Sequence, residues 1–407
     1  MTGVGRHTIR GAVLGLVGGL LAGCSSFDGE VPTGPPPEAV ALSEYLPTFA
    51  VSADAAAFAD MSERYLEDVK IDARVTEWRG GELVLDDARA RIQIKGAYSA
   101  AFPLKPLGIR LRDAVDNADG RVISPPTLLP GHSLARVRAF RLRNGGNAFT
   151  TTLVKDLAYA RLLAASPGLN VLPVYGEPAA VYVNDDFYGL VNLRSETNGR
   201  AVADLLGVDR DRLQLAELDE LDTFEVKEGD PAYFRELETA IAAGDLESLA
   251  RSVDEASFVD FVLVGTMFAV WDWPWKNVRV YAVDGGPLRF IVYDFDLASV
   301  QHVDLGPVEH MRQRRPNPIG RLFEVLYADE GFRERFEARY AQLLDDGTLA
   351  PERLRSQVTA LAEVLRPVIS LQTERHGYPE SLPGWELDLE RVVEDYEERY
   401  VRLEPYD

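Results

Sequence analysis

The chain has 407 residues, with 43 Lys plus Arg against 65 Asp plus Glu, a formal net charge of −22. A hydrophobic fraction of 46% with 27% charged residues is ordinary globular composition and excludes disorder throughout. The acidic balance argues against nucleic acid as a partner, because a phosphate backbone recruits Lys and Arg. The single cysteine, Cys24, excludes an internal disulfide and a thiolate metal site.

The N-terminus reads as an export signal. Arg6, His7 and Arg10 form a basic start, and the apolar run from Ala12 to Leu20 is too short to span a bilayer as a helix. It leads into Leu21-Ala22-Gly23-Cys24, which resembles a bacterial lipobox. Cys24 is therefore the expected lipidation site, and acyl chains there anchor the chain to a membrane of the cell envelope. Ser25 follows, where Asp would mark inner-membrane retention, so the outer membrane is the expected destination in a host with two. Residues 1–23 are assigned to the signal peptide, and the Pro- and Gly-rich residues 24–40 to an extended tether.

Residues 41–198 are expected to be β-rich. Phe58 to Val69 has helical spacing. Ala73–Trp78, Ala90–Gly96 and Leu107–Leu111 alternate as strands, with Val137–Leu142 as a further candidate and Gly80-Gly81 as a turn. Thr151–Ala165 reads as a helix. Ala179–Val183 and Phe187–Leu193 flank Asn184-Asp185-Asp186 as a hairpin. Residues 199–407 are expected to be mostly helical, with Pro231–Ala243, Ser257–Ala269, Ile319–Tyr327, Glu330–Leu344, Pro351–His376 and Leu387–Val401 as helices. Val278–Val283 and Leu288–Tyr293 form a hairpin on Asp284-Gly285-Gly286. The acidic run Glu217 to Asp222 reads as a solvated loop or helix face. The order implies an α+β fold in two lobes, β-rich first and mostly helical second.

The chemistry is concentrated between Trp271 and Asp296. Asp272 precedes Asn277 by five residues, the hairpin follows, and Asp294-Phe295-Asp296 closes the segment. Phosphoryl transfer needs a carboxylate to orient the attacking hydroxyl and hard oxygen ligands to hold Mg²⁺ against the phosphates. Trp271, Trp273 and Trp275 are expected to pack rather than to stack a ligand. The five histidines share no metal-ligand spacing.

From about Leu46 to Tyr378 the chain resembles the spore coat protein H (CotH) kinase family of atypical, protein-kinase-like proteins. The resemblance is carried by Ile94–Ser99, Phe102–Leu111, Arg141–Asn144, Leu153–Leu157, Val181–Leu193, Asp272–Asn277, Tyr293–Asp296 and Asn317-Pro318 with Phe332–Tyr340. It implies a bilobal kinase-like fold, ATP and Mg²⁺ as cofactors, and a protein substrate accepting phosphate on Ser or Thr. Carried over, Asp272 is the catalytic Asp, Asn277 and Asp294 hold Mg²⁺ with Asp296 as a further ligand, and Lys105 and Arg110 grip the phosphates. Glu196 is placed at the nucleotide, pairing with the cation or meeting the adenine side. The chain departs from the pattern at Ala97-Tyr98-Ser99-Ala100, at Leu104 and Pro106, at Gly108 where an Arg is common, and at Asn147 where Asp is. The phosphate-gripping end is thus thinner than the metal-binding end, and a non-catalytic, pseudokinase-like module binding nucleotide, glycan or a partner protein is the second expectation.

Overall fold

The structure, a computed structural model, describes residues 37–112, 137, 139–219, 221–300, 305–313 and 317–403; Cys24 and the export signal lie outside them. No helix among the described residues is long and apolar enough to cross a membrane.

Seven strands close on themselves. β1 (Thr48–Ala53), β2 (Lys70–Arg79), β3 (Glu82–Ile94), β4 (Leu107–Leu111) and β5 (Ala139–Arg143) are followed around the barrel by β8 (Asp186–Ser195) and β7 (Gly176–Val183). Neighbours are antiparallel except at the seam, where β1 runs parallel to β7 from Thr48 opposite Ala180 to Val51 opposite Val183. The strand period of two sends alternate side chains inward. Ile92, Ile109 and Phe140 lie side by side in register and are buried, and Phe49 meets Phe140 with ring centroids 5.4 Å apart. The fold is mixed α+β as expected, but the simple β-rich lobe of a kinase is replaced by this closed barrel. The physical reason lies in Ala179–Val183, an apolar run without alternation. The helix Lys155–Ala164 covers its outer face, so β7 is buried on both faces and pairs along both edges.

A second sheet has the order β10 (Phe224–Glu228), β9 (Leu213–Leu218), β11 (Arg279–Val283), β12 (Arg289–Val292) and β6 (Leu172–Pro173). β9 and β10 fall where the sequence pattern turns helical. Glu217, read as part of a solvated acidic run, sits in β9 opposite Arg279.

Helix boundaries follow capping chemistry. The helix expected over Phe58–Val69 spans Ala55–Glu63, because the Asp54 carboxylate caps it by accepting the Ala57 N–H at 2.8 Å. The helix expected over Pro351–His376 is two helices, Pro351–Leu365 and Ile369–His376, divided where Pro367 offers no N–H.

The helix Glu255–Met267 is buried from Ser257 onward, and its one buried charge is matched. Asp260 accepts from Arg339 Nε at 2.7 Å and from the Asn170 side chain at 2.8 Å. Phe261 stacks on Phe290 at 4.5 Å. The indole of Trp273 lies against Gly265, where a Cβ would come within 2.5 Å of the ring. Trp273 thereby fixes the loop that carries Asp272 to the core. Gly265→Ala is expected to lower the stability by about 1–3 kcal/mol through overpacking. A shift in the denaturant midpoint checks it, and an unchanged midpoint would contradict the close packing.

Candidate active site

The β11–β12 hairpin places the site. Asn277 stands two residues before β11 and Asp294 two residues after β12, and Arg279 pairs with Ile291, so both arrive at the end of the hairpin opposite its Asp284-Gly285-Gly286 turn. Asn277 (φ 62°) and Asp294 (φ 67°) both adopt left-handed backbone, a conformation Asn and Asp tolerate better than other side-chain-bearing residues. The loop after the buried helix contributes Asp272. Its Oδ2 accepts from Asn277 Nδ2 at 3.1 Å, while its Oδ1 is buried and meets no hydrogen-bond donor among the described residues. Burial first, and the Asp294 charge second, raise its pKa above the ordinary carboxylate value.

Asp294 and Asp296 lie side by side, bridged by one guanidinium. Arg143 Nη2, from the end of β5, donates to Asp294 Oδ1 and, at 3.0 Å, to Asp296 Oδ2. Asp296 Oδ2 also accepts the Asn147 N–H at 2.9 Å. That contact uses the backbone, so Asn in place of Asp at 147 does not affect it. The bridge does not fully offset the desolvation. Burial and the Asp294 charge outweigh Arg143 and push the Asp296 carboxyl up to about 6. Behind the bridge, Asp156 accepts from Arg194 Nη1 at 2.8 Å and from the Phe295 N–H at 2.8 Å.

These groups open onto a cleft of about 390 Å³, closed opposite by the loop Lys95–Ser99. Asn144 holds that loop, donating from Nδ2 to Ser99 O at 2.9 Å and to Leu104 O at 2.7 Å. The structure thus brings together Asp272, Asn277, Asp294 and Asp296 from the sequence reading, and leaves out two cations. The Lys105 ammonium donates to Ala100 O at 2.7 Å and lies 4.3 Å over the Tyr65 ring. Arg110 is on the exposed face of β4, opposite Arg91. Neither lines the cleft. Glu196 lies just behind it, paired with Arg141 (Nη2 to Oε2, 3.2 Å). Burial would raise its pKa, but the Arg141 charge and hydrogen bond, with the Lys95 and Arg279 charges, together outweigh this and hold the carboxyl below its usual value.

The cations that do line the cleft are Lys95, Arg141, Arg143, Lys276 and Arg279. Lys95 replaces Lys105 for a steric reason: its stem crosses Gly108, where a Cβ would come within 2.7 Å of Lys95 Cγ. A side chain at 108 would close that path. Burial lowers the Lys95 pKa, with Glu196 opposing. Arg279 pairs with Glu217 and lies 5.3 Å from the Tyr293 ring centre. Sequence reasoning missed Arg141 and Arg143, although their i, i+2 spacing beside Phe140 and Leu142 was the available signal for two cations on one strand face.

Among the described residues, no three His, Cys, Asp or Glu side chains group to hold a metal ion. The donor chemistry nevertheless fits Mg²⁺: two adjacent carboxylates with the Asn277 amide oxygen are hard ligands, and their charges already gather a cation. Trp273 is buried as expected, whereas Trp271 and Trp275, also expected to pack, are exposed.

No curated protein matches the chain. A family model described as CotH kinase protein matches residues 92–403, from β3 through the last helix, and encloses every cleft residue named above. The chain belongs to the CotH kinase family.

Proposed function

We propose that the protein is a Mg²⁺-dependent kinase that transfers the γ-phosphoryl group of ATP to a hydroxyl, most simply Ser or Thr of a protein, in a kinase-like arrangement of a β-rich and a helical part. The observation that carries this reading is Asp272, which lines the cleft with one carboxylate oxygen held by Asn277 and the other left without a hydrogen-bond partner among the described residues. That is the arrangement a residue needs to orient an acceptor hydroxyl. Asn277, Asp294 and Asp296 would hold Mg²⁺, which when bound neutralises phosphate charge. Lys95 and Arg141 are the cations placed to receive the triphosphate. Export and acylation at Cys24 complete the proposal and put the enzyme on the outside of a membrane in the cell envelope.

The test is an intact-mass measurement on a protein acceptor incubated with the enzyme, ATP and Mg²⁺. Transfer adds about 80 Da per site, whereas adenylyl transfer adds about 329 Da. Asp272→Ala is expected to lower the rate by about 10²–10⁴-fold. A protein that gains melting temperature with nucleotide but modifies no acceptor would be the pseudokinase-like module instead.

A further inference from the structure

Arg143 stands where the proposed function puts a metal ion, and it is built to be released. Its side chain is mostly but not fully buried, and a single nitrogen, Nη2, serves both Asp294 and Asp296. Its Nε is buried without a hydrogen-bond partner, 3.6 Å from Asp156 Oδ2. The guanidinium is held by the two hydrogen bonds of Nη2 and by charge, and the Asp294, Asp156 and Asp296 carboxylates outweigh burial and raise its pKa. Gly146 closes the space above it, since a Cβ there would overlap Asp296 Oδ2. Two cations cannot share Asp294 Oδ1 and Asp296 Oδ2 in so small a volume without strong repulsion.

We propose that Arg143 is a resident counter-ion that competes with Mg²⁺ for Asp294 and Asp296 until a nucleotide triphosphate supplies it with another anion. Arg143 lines the same cleft as Lys95 and Arg141, so a small swing exchanges carboxylate for phosphate. The metal then binds with the nucleotide rather than before it, and the nucleotide-free protein keeps its acidic pair neutralised. The inference rests on the metal-binding role proposed for Asp294 and Asp296.

The test is calorimetric titration of the full chain with MnCl₂ in the absence of nucleotide, comparing wild type with Arg143→Gln and Arg143→Lys. Arg143→Gln is expected to bind the metal on the order of tenfold more tightly than wild type. Arg143→Lys keeps the charge as a point-like, more strongly hydrated ammonium on a different stem, is expected to fall between, and serves if the Gln variant does not fold. Equal or weaker metal binding in the folded variants would overturn the competition. Absence of metal binding in every form, with and without a non-hydrolysable ATP analogue, would instead overturn the metal site itself.

Discussion

Asp294→Ala is expected to abolish phosphoryl transfer, a loss on the order of a thousandfold or more, while leaving the protein folded. The two halves of that expectation have separate causes. Asp294 is one of two adjacent hard-oxygen donors in the cleft, and Asp296 alone, already tied to Arg143 and the Asn147 N–H, cannot replace it. Stability should change little, because Arg143 keeps Asp296 and Asp156 as counter-charges. Intact-mass assay and thermal melting, run side by side, separate the two. Transfer at the wild-type rate in a folded Asp294→Ala protein would sink the proposed mechanism.

Asp156→Ala is expected to cost about 3–5 kcal/mol of stability, the penalty of leaving a buried charge uncompensated. Asp156 opens the helix Lys155–Ala164 and is buried. It accepts from Arg194 of β8 and from the Phe295 N–H, and so links the barrel to the segment that presents Asp294 and Asp296. Burial already lowers the Arg194 pKa, and Asp156 is the carboxylate that opposes this most. Asp156→Asn retains an acceptor for Phe295 and should lose less than Ala. Guanidinium unfolding of both variants checks the ordering, and a shift under about 1 kcal/mol for Ala would contradict the link.

The site was legible where chemistry is local in sequence. Asp272, Asn277, Asp294 and Asp296 lie within one loop and one hairpin, and the turn residues Asp284-Gly285-Gly286 were enough to fold them together. The cations were not legible, because their placement depends on which face of which barrel strand meets the cleft. Lys105 and Lys95 are equivalent by residue type; the bare backbone at Gly108 leaves room for the Lys95 stem, while Lys105 is held by Ala100 O and the Tyr65 ring. The barrel itself was hidden for a related reason. Alternation in β2 to β5 identifies strands, but no local pattern states that β1 pairs with β7 rather than ending an open sheet. β9 was lost to composition, since Glu217 and its acidic neighbours masked a strand whose Leu213 and Leu215 are buried.

Closure of the barrel has a consequence for how the chain becomes structured during synthesis. The seam joins Thr48–Val51 to Ala180–Val183, and Ala53 N–H donates to Asn184 Oδ1 across 131 residues of chain. A nascent chain that has not yet reached Val183 has no partner for the parallel edge of β1, however many of its antiparallel hairpins have formed. Contacts this distant in sequence form late, after the loop entropy between them has been overcome. Under the export proposed above the chain would be threaded unfolded, and an architecture whose first strand waits for β7, and whose ring also needs β8, delays its own completion until the whole ring has been delivered.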